Sequence, residues 1–378
     1  MMDNTLFSSV VQLRHTLHMR PTLSGDERST IELLMAFLKA NTKLEICDMG
    51  EYFYAVYRCE KPQKRIAFRA DMDALPIDEG TLLPYSSTVC GVSHKCGHDG
   101  HCACLAAFAV EVDRIGCKSD VFFLFQHAEE TGAGARICSE LIEREHIDEI
   151  YGFHNMPGFP LGAVMVHNGT AACASTGLIL SFFGRRSHAS QPENGRNPAF
   201  AISRLILDIP ELTHADRYTG MVMCTVICVD VGEEAFGTSA GEGRLMLTVR
   251  AEHESELDRL ISELISRAKL YCNDASLRLD TEFRDAFPET YNHPECAERV
   301  RRCCDSLGIP IARWDEPFRS SEDFGYYTKL TKGALFYVGD GETHPPLHTA
   351  EFDFPDDIIE TVCGIYLELI NEMCTACQ

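Results

Sequence analysis

No stretch of about 18 uncharged apolar residues occurs anywhere in the chain, which argues against a membrane span. Basic residues are scarce: 34 lysines and arginines against 57 aspartates and glutamates leave a formal net charge of −23. A surface of that sign repels nucleic acid and anionic membranes and favours solubility, so neither is expected as a partner. The first 27 residues hold no basic leader followed by an apolar segment. No signal peptide is therefore expected, and the protein is predicted to be cytoplasmic. Internal repeats and low-complexity linkers are also missing. In that setting the 18 cysteines read as reduced thiols, most of them small buried hydrophobes, and not as a disulfide framework. Cys374-x-x-Cys377 has zinc-ribbon spacing but lacks a second pair to complete it.

What is present is an ordinary globular balance over 378 residues, 45% apolar and 24% charged, enough for two or three domains with ample core. The first 170 residues alternate helical and strand patterns. A helix is predicted from near Leu6, and another after Ser24, where Ser24 and Glu27 have capping-box spacing. Short apolar runs at Arg65–Arg69, Val121–Gln126 and Ile150–Phe153 read as strands. The Ala-rich segment Cys102–Val112 reads as a helix packed on them. This alternation predicts an α/β layer structure with a largely parallel sheet. The middle third runs strand, helix, two strands, helix and strand. Its second helix, Ser255–Cys272, sets Leu257, Leu260, Ile261, Leu264, Ile265 and Ala268 on one face. The order β-α-β-β-α-β is ferredoxin-like. An inserted domain over residues 174–283 is expected, within a catalytic domain formed by residues 1–173 and 284–378 and closed by a helix from Pro355 to about Met373.

Metal-capable side chains concentrate at Ser93-His94-Lys95-Cys96-Gly97-His98-Asp99-Gly100-His101. Thiolate and imidazole suit zinc and similar ions, and Asp99 and His101 add groups that could orient ligand imidazoles. With 18 cysteines and 15 histidines, a chance C-x-H pair is the competing reading. Glu129-Glu130 follows an apolar strand, where neighbouring carboxylates can diverge, one onto a metal and one towards substrate; an isolated pair would read as a solvated turn. His154, placed after a strand, and His348, near the C-terminus, complete four candidates at predicted strand ends or loops, where open α/β sheets carry their sites.

These segments resemble the amidohydrolase branch of the metallo-aminoacylase and carboxypeptidase family, which includes hippurate hydrolases, auxin-conjugate hydrolases and N-acetyldiaminopimelate deacetylases. The likeness rests on Arg69-Ala70-Asp71-Met72-Asp73-Ala74-Leu75-Pro76, His94-Lys95-Cys96-Gly97-His98-Asp99-Gly100-His101 and Glu129-Glu130. It continues through Leu13-Arg14-His15, Phe153-His154, His188-Ala189, Ser321-Glu322-Asp323-Phe324 and Leu347-His348. The resemblance implies a mixed-sheet catalytic domain with a ferredoxin-like lid through which members commonly dimerise. It implies two divalent cations, zinc or manganese with nickel or cobalt as alternatives, held by Cys96, His98, Glu130, His154 and His348. Glu129 would be the general base and Asp73 would orient the metal centre. His188 would stabilise the oxyanion, from the partner subunit or on lid closure. The substrate would be an N-acyl-amino acid or a small peptide.

The sequence departs from this pattern in the lid. Gly237 stands where relatives carry an asparagine, and Ala240 where they carry proline; the lost amide removes a substrate contact. Arg185-Arg186-Ser187 replaces glycines before His188. Arg185, Arg186 or Arg250 could grip a substrate carboxylate, against the reading that each is a surface arginine. A dipeptidase or carboxypeptidase-like activity shares the same ligand set. A metal-retaining protein without catalysis and a structural-zinc protein are the readings from other classes.

Overall fold

The computed structural model describes residues 2–375. The chain divides into two compact units, residues 1–171, 290–316 and 323–378 in the first, and residues 172–289 with 317–322 in the second. Among the described residues no helix is long and apolar enough to cross a membrane, and no disulfide forms. Cys377 lies outside the described residues, and with it any test of the Cys374–Cys377 pair.

The first unit is built on a seven-stranded mixed sheet. In spatial order its strands are Glu45–Asp48, Phe53–Tyr57, Asp120–Gln126, Arg65–Asp71, Glu149–Met156, Lys332–Gly339 and Val164–Met165. The four between Asp120–Gln126 and Lys332–Gly339 run parallel; the outer pairings are antiparallel. The expectation of a largely parallel sheet is thereby corrected. Glu45–Asp48 and Phe53–Tyr57 are joined by a short turn, which permits only an antiparallel hairpin, whereas parallel neighbours need a crossover of a dozen or more residues. Asp120–Gln126 is buried along its whole length, as is nearly all of Glu149–Met156. That explains why these strands read as continuous apolar runs with no alternation.

The helix His98–Ile115 lies almost wholly in the core, with Ala103, Ala106, Ala107 and Ala109 fully buried. Their small side chains allow close approach, and the space beyond is filled by rings. Phe68 meets Phe108 and Tyr366 edge-on, each at 4.7 Å between centroids. Each fully buried aromatic of this kind contributes about 1.5–3 kcal/mol by leaving water. The final helix, Ile359–Thr375, follows a single 3-10 turn at Asp356–Ile358.

One local expectation fails instructively. The helix Arg28–Asn41 has Glu27 at its N-cap and no side-chain cap. Ser24 Oγ instead donates to Asp73 Oδ2 at 2.7 Å, and Glu27 Oε1 accepts from the Ala128 backbone N–H at 2.8 Å. Both side chains were claimed by buried partners more than 45 residues away, and a buried donor or acceptor is costlier to leave unpaired than a solvated helix end.

The second unit carries a four-stranded antiparallel sheet in the order Val222–Val231, Glu242–Ala251, Ala174–Phe183, Arg278–Phe287. Helices Ala199–Leu212 and Glu254–Ala275 make the chain order β-α-β-β-α-β. Alternate residues Leu178, Leu180 and Phe182 are buried together with Leu245, Leu247 and Val249 and with Leu257, Leu260, Leu264 and Ala268 from the longer helix. Ile261 and Ile265 pack at the margin of this core, partly exposed.

Candidate metal centre

Because the four central strands are parallel, their C-terminal ends share one edge of the sheet. They deliver Asp71, Gln126, His154 and, one residue beyond the last strand, Asp340 to that edge. His154 lies inside the strand Glu149–Met156 and not after it, a correction that follows from the parallel pairing with Lys332–Gly339, which runs on through Asn155 to Met156. The loop before helix His98–Ile115 crosses the same edge. Gly97 turns it with φ +96°, and a side chain there would meet Asn155 Oδ1 at 2.4 Å. The helix thus begins at His98, which places His98 and His101 on one face at i, i+3.

The structure brings Cys96, His98, Glu130, His154 and His348 together. Cys96 Sγ lies 3.5 Å from His154 Nε2 and 3.3 Å from His348 Nε2. Glu130 Oε1 is 3.8 Å from His98 Nε2 and 3.7 Å from His348 Nε2. The donor atoms form two overlapping triads, Cys96/His98/His154 and Cys96/Glu130/His348, with Cys96 common to both; a third group joins His98 and Glu130 to Glu129. His98 Nε2 and Glu130 Oε1 are buried without any hydrogen-bond partner. Buried polar atoms are rarely left so, and these two face the other donors, which is the arrangement that fits cations. A further group, Asp71/His98/His101, is a poor cation site because both His101 nitrogens are engaged, Nδ1 with Asp71 at 2.5 Å and Nε2 with Asn155 Oδ1 at 2.7 Å.

Electrostatics agree with a site that wants positive charge. Burial, with Glu130 and Glu129 nearby, pushes the Cys96 thiol well above its usual range. Burial likewise lifts the Glu130 carboxyl to about 7. In both, burial disfavours the anion and neighbouring carboxylates add to that penalty. Burial drives the His154 imidazole well below its usual range. Partial desolvation and the neighbouring His98 lower that of His348, whose side chain stays about half exposed, and both shifts favour the neutral form that binds metals. His98 goes the other way. Burial opposes its protonation, but Asp71, Asp73 and Glu130 outweigh it and lift the imidazole to about 10.

Partners behind the donors fix their orientation. His154 Nδ1–H donates to the Asn155 carbonyl at 2.7 Å and His98 Nδ1–H to Asp73 Oδ1 at 3.2 Å, leaving both Nε2 lone pairs facing inward. Asp73 Oδ2 also accepts from Ser24 Oγ and, at 3.0 Å, from the Glu130 N–H. Asp99 does not serve the ligand imidazoles. It binds His18 Nδ1 at 2.8 Å and Arg14, because it points away from the donor cluster on the first turn of its helix. Asp71 takes that supporting place beside His101, itself held by Arg69 at 2.6 Å, while Asn155 Nδ2 donates to Asp340 Oδ2 at 2.8 Å. The sequence offers Ser24 and Glu27 only as a helix cap and assigns no role to Asn155 or Asp340. Asn155 had the one available signal, adjacency to His154; nothing local marked Asp340. His348 arrives on a loop with φ +61°, its N–H bonded to the Lys95 carbonyl at 2.8 Å.

In the second unit, His188 and Gly237 are brought together. Ser187–His188 pairs with Thr238–Ser239, and Ala189 N–H donates to the Gly237 carbonyl at 3.0 Å. His188 is exposed, its Nδ1 2.7 Å from Ser190 Oγ. A side chain at Gly237 would meet nothing within 4 Å. Arg185 and Arg186 are exposed, Arg186 pairing with Glu233. Arg250 is half-buried, bonded at 2.5 Å to Ser321 Oγ, and no carboxylate among the described residues lies within ion-pair distance of it.

Fold and donor set together define a metal-dependent amide hydrolase. Residues 67–372 match peptidase family M20/M25/M40, and the chain belongs to that family. It is 29% identical over 385 residues to an N-acetyldiaminopimelate deacetylase of Lactobacillus helveticus, covering 97% of this chain and 98% of the relative. It is 28% identical over 368 residues to a hippurate hydrolase of Campylobacter jejuni, covering 95% and 94%. Its fold superposes with a TM-score of 0.83 on a dinuclear metal-binding peptidase of the M20 family from Bacillus subtilis, at 23% identity, covering 97% and 98%.

Proposed function

We propose that the protein hydrolyses the amide bond of N-acyl-amino acids or related small amides. The observation that carries this reading is the convergence of five metal-ligating side chains, two with orphaned buried atoms, beside the buried carboxylate of Glu129. The two relatives named for a deacetylation and for hippurate hydrolysis support the substrate class.

Cys96, His98, Glu130, His154 and His348 would hold two divalent ions. Mixed sulfur, nitrogen and oxygen ligation suits zinc or manganese. When bound, such ions lower the pKa of a water and polarise a carbonyl oxygen. Glu129 accepts the proton of the attacking water and returns it to the leaving amine nitrogen, which would otherwise depart poorly as an anion. Asp73 keeps His98 in the tautomer that ligates. His188 is the proposed donor to the oxyanion and Arg250 the proposed contact for the substrate carboxylate, with the Gly237 segment shaping specificity. Assembly is proposed as a homodimer through the second unit. Its edge strand Val222–Val231 exposes Val226, Ile227 and Val229, and edges of that kind invite pairing.

Glu129→Gln tests the central assignment. The variant should keep both ions by elemental analysis and lose turnover of N-acetyl-amino acids by about 10²-fold or more. Undiminished turnover removes Glu129 from the role of base.

A further inference from the structure

The turn that carries Glu129 is strained at its first residue. Ala128 has φ +47°, a left-handed conformation that costs a residue with a Cβ about 1–2 kcal/mol. Its carbonyl is tied within the turn, accepting from Ala133 and Gly134 N–H at 3.2 and 3.1 Å. Gly134 is required there, since a side chain would lie 1.6 Å from the His127 carbonyl oxygen. The Glu129 carbonyl accepts from Gly132 N–H at 2.7 Å. The Ala128 N–H is held from outside the turn, by Glu27 Oε1 at 2.8 Å. Glu27 is 4% exposed and stands at the entrance of the helix Arg28–Asn41, a rigid mount.

We propose that Glu27 is a positioning residue for the catalytic base: its carboxylate pins the Ala128 N–H, holds the left-handed backbone there, and so aims the side chain of Glu129. The proposal rests on the reading of Glu129 as base. Ser24, three residues earlier, anchors Asp73, which in turn receives the Glu130 N–H. The segment 24–27 therefore braces the turn at two points, Glu27 before the base and Ser24 after it. Releasing the Ala128 N–H lets φ relax and swings Glu129, while Glu130 keeps its own anchor through Asp73.

The test compares Glu27→Met, which fills the space with a poor acceptor, and Glu27→Gln, which keeps a carbonyl oxygen for the N–H. Each is measured for bound metal, thermal midpoint, kcat and KM on an N-acetyl-amino acid. Glu27→Met should retain both ions and an unchanged KM while kcat falls about 10- to 100-fold, the scale expected for a misplaced catalytic group; kcat and kcat/KM fall together. Glu27→Gln should recover most of that loss. Unchanged kcat in Glu27→Met overturns the proposal, as does a kcat loss equal in both variants. Loss of metal from Glu27→Met also overturns it, because Glu27 would then serve the ligands and not the base. If the unaltered protein binds no metal or shows no turnover, it is the hydrolase reading that fails.

Discussion

Asp73→Asn isolates what one buried carboxylate does for the metal centre. Asp73 is fully buried and accepts from three donors, His98 Nδ1 on one oxygen and Ser24 Oγ and Glu130 N–H on the other. Asparagine has a single oxygen, so its NH₂ must face one of those donors. If it faces His98, the imidazole turns Nδ1 into an acceptor and carries its proton on Nε2, which removes the lone pair needed for ligation. If it faces Ser24 and Glu130, the Glu130 N–H loses a bond to a charged acceptor worth about 1.5–3 kcal/mol. Either route predicts a 10- to 100-fold loss of metal affinity, or about 1.4–2.7 kcal/mol. Competition against a chromophoric chelator at fixed pH measures it directly, with Ser24→Ala as a milder companion on the same oxygen. Affinity within threefold of the unaltered protein would refute the argument that Asp73 sets the His98 tautomer.

Asp340 supplies a pH-dependent counterpart. Burial lifts its carboxyl to about 7 from an unfolded value of 3.8, so between those limits the folded chain keeps a proton the unfolded chain has released. Stability therefore falls as pH rises through that window and stays lowered above it, by about 4 kcal/mol at most. Asp340→Asn keeps an acceptor for Asn155 and cannot ionise; urea unfolding of metal-free protein should show it more stable at pH 8, with the advantage gone below pH 4. Gly134→Ala should destabilise by about 3 kcal/mol or more, since its Cβ would overlap the His127 carbonyl oxygen; a urea midpoint unchanged by the substitution would contradict the packing of that turn. His188→Ala should lower kcat while leaving bound metal intact by elemental analysis, and loss of metal would exclude the oxyanion role.

The legible parts of this protein were those written in short sequence distances. The helix Glu254–Ala275 shows its face at every third or fourth residue. The spacing of Cys96 and His98 put two donors at the mouth of a helix, and the strand runs survived because full burial demands continuous apolar residues. Two expectations about side chains failed because local roles were overruled by distant partners. Ser24 and Glu27 have the spacing of a capping box, yet they serve Asp73 and Ala128; Asp99 has the place of a supporting carboxylate, yet it serves His18 and Arg14. Spacing along a chain states which contacts a side chain can make with its neighbours, and says nothing of a stronger claim from a segment 49 or 101 residues away. The sequence by itself determined the long amphipathic helices, the continuous apolar strands of the first half, the donor types and their family, but not the strand Lys332–Gly339 or the hairpin of Glu45–Asp48 and Phe53–Tyr57. Only the tertiary structure decided which donors share an edge, because that edge exists once four parallel strands lie side by side and the buried carboxylates and imidazoles must find partners there.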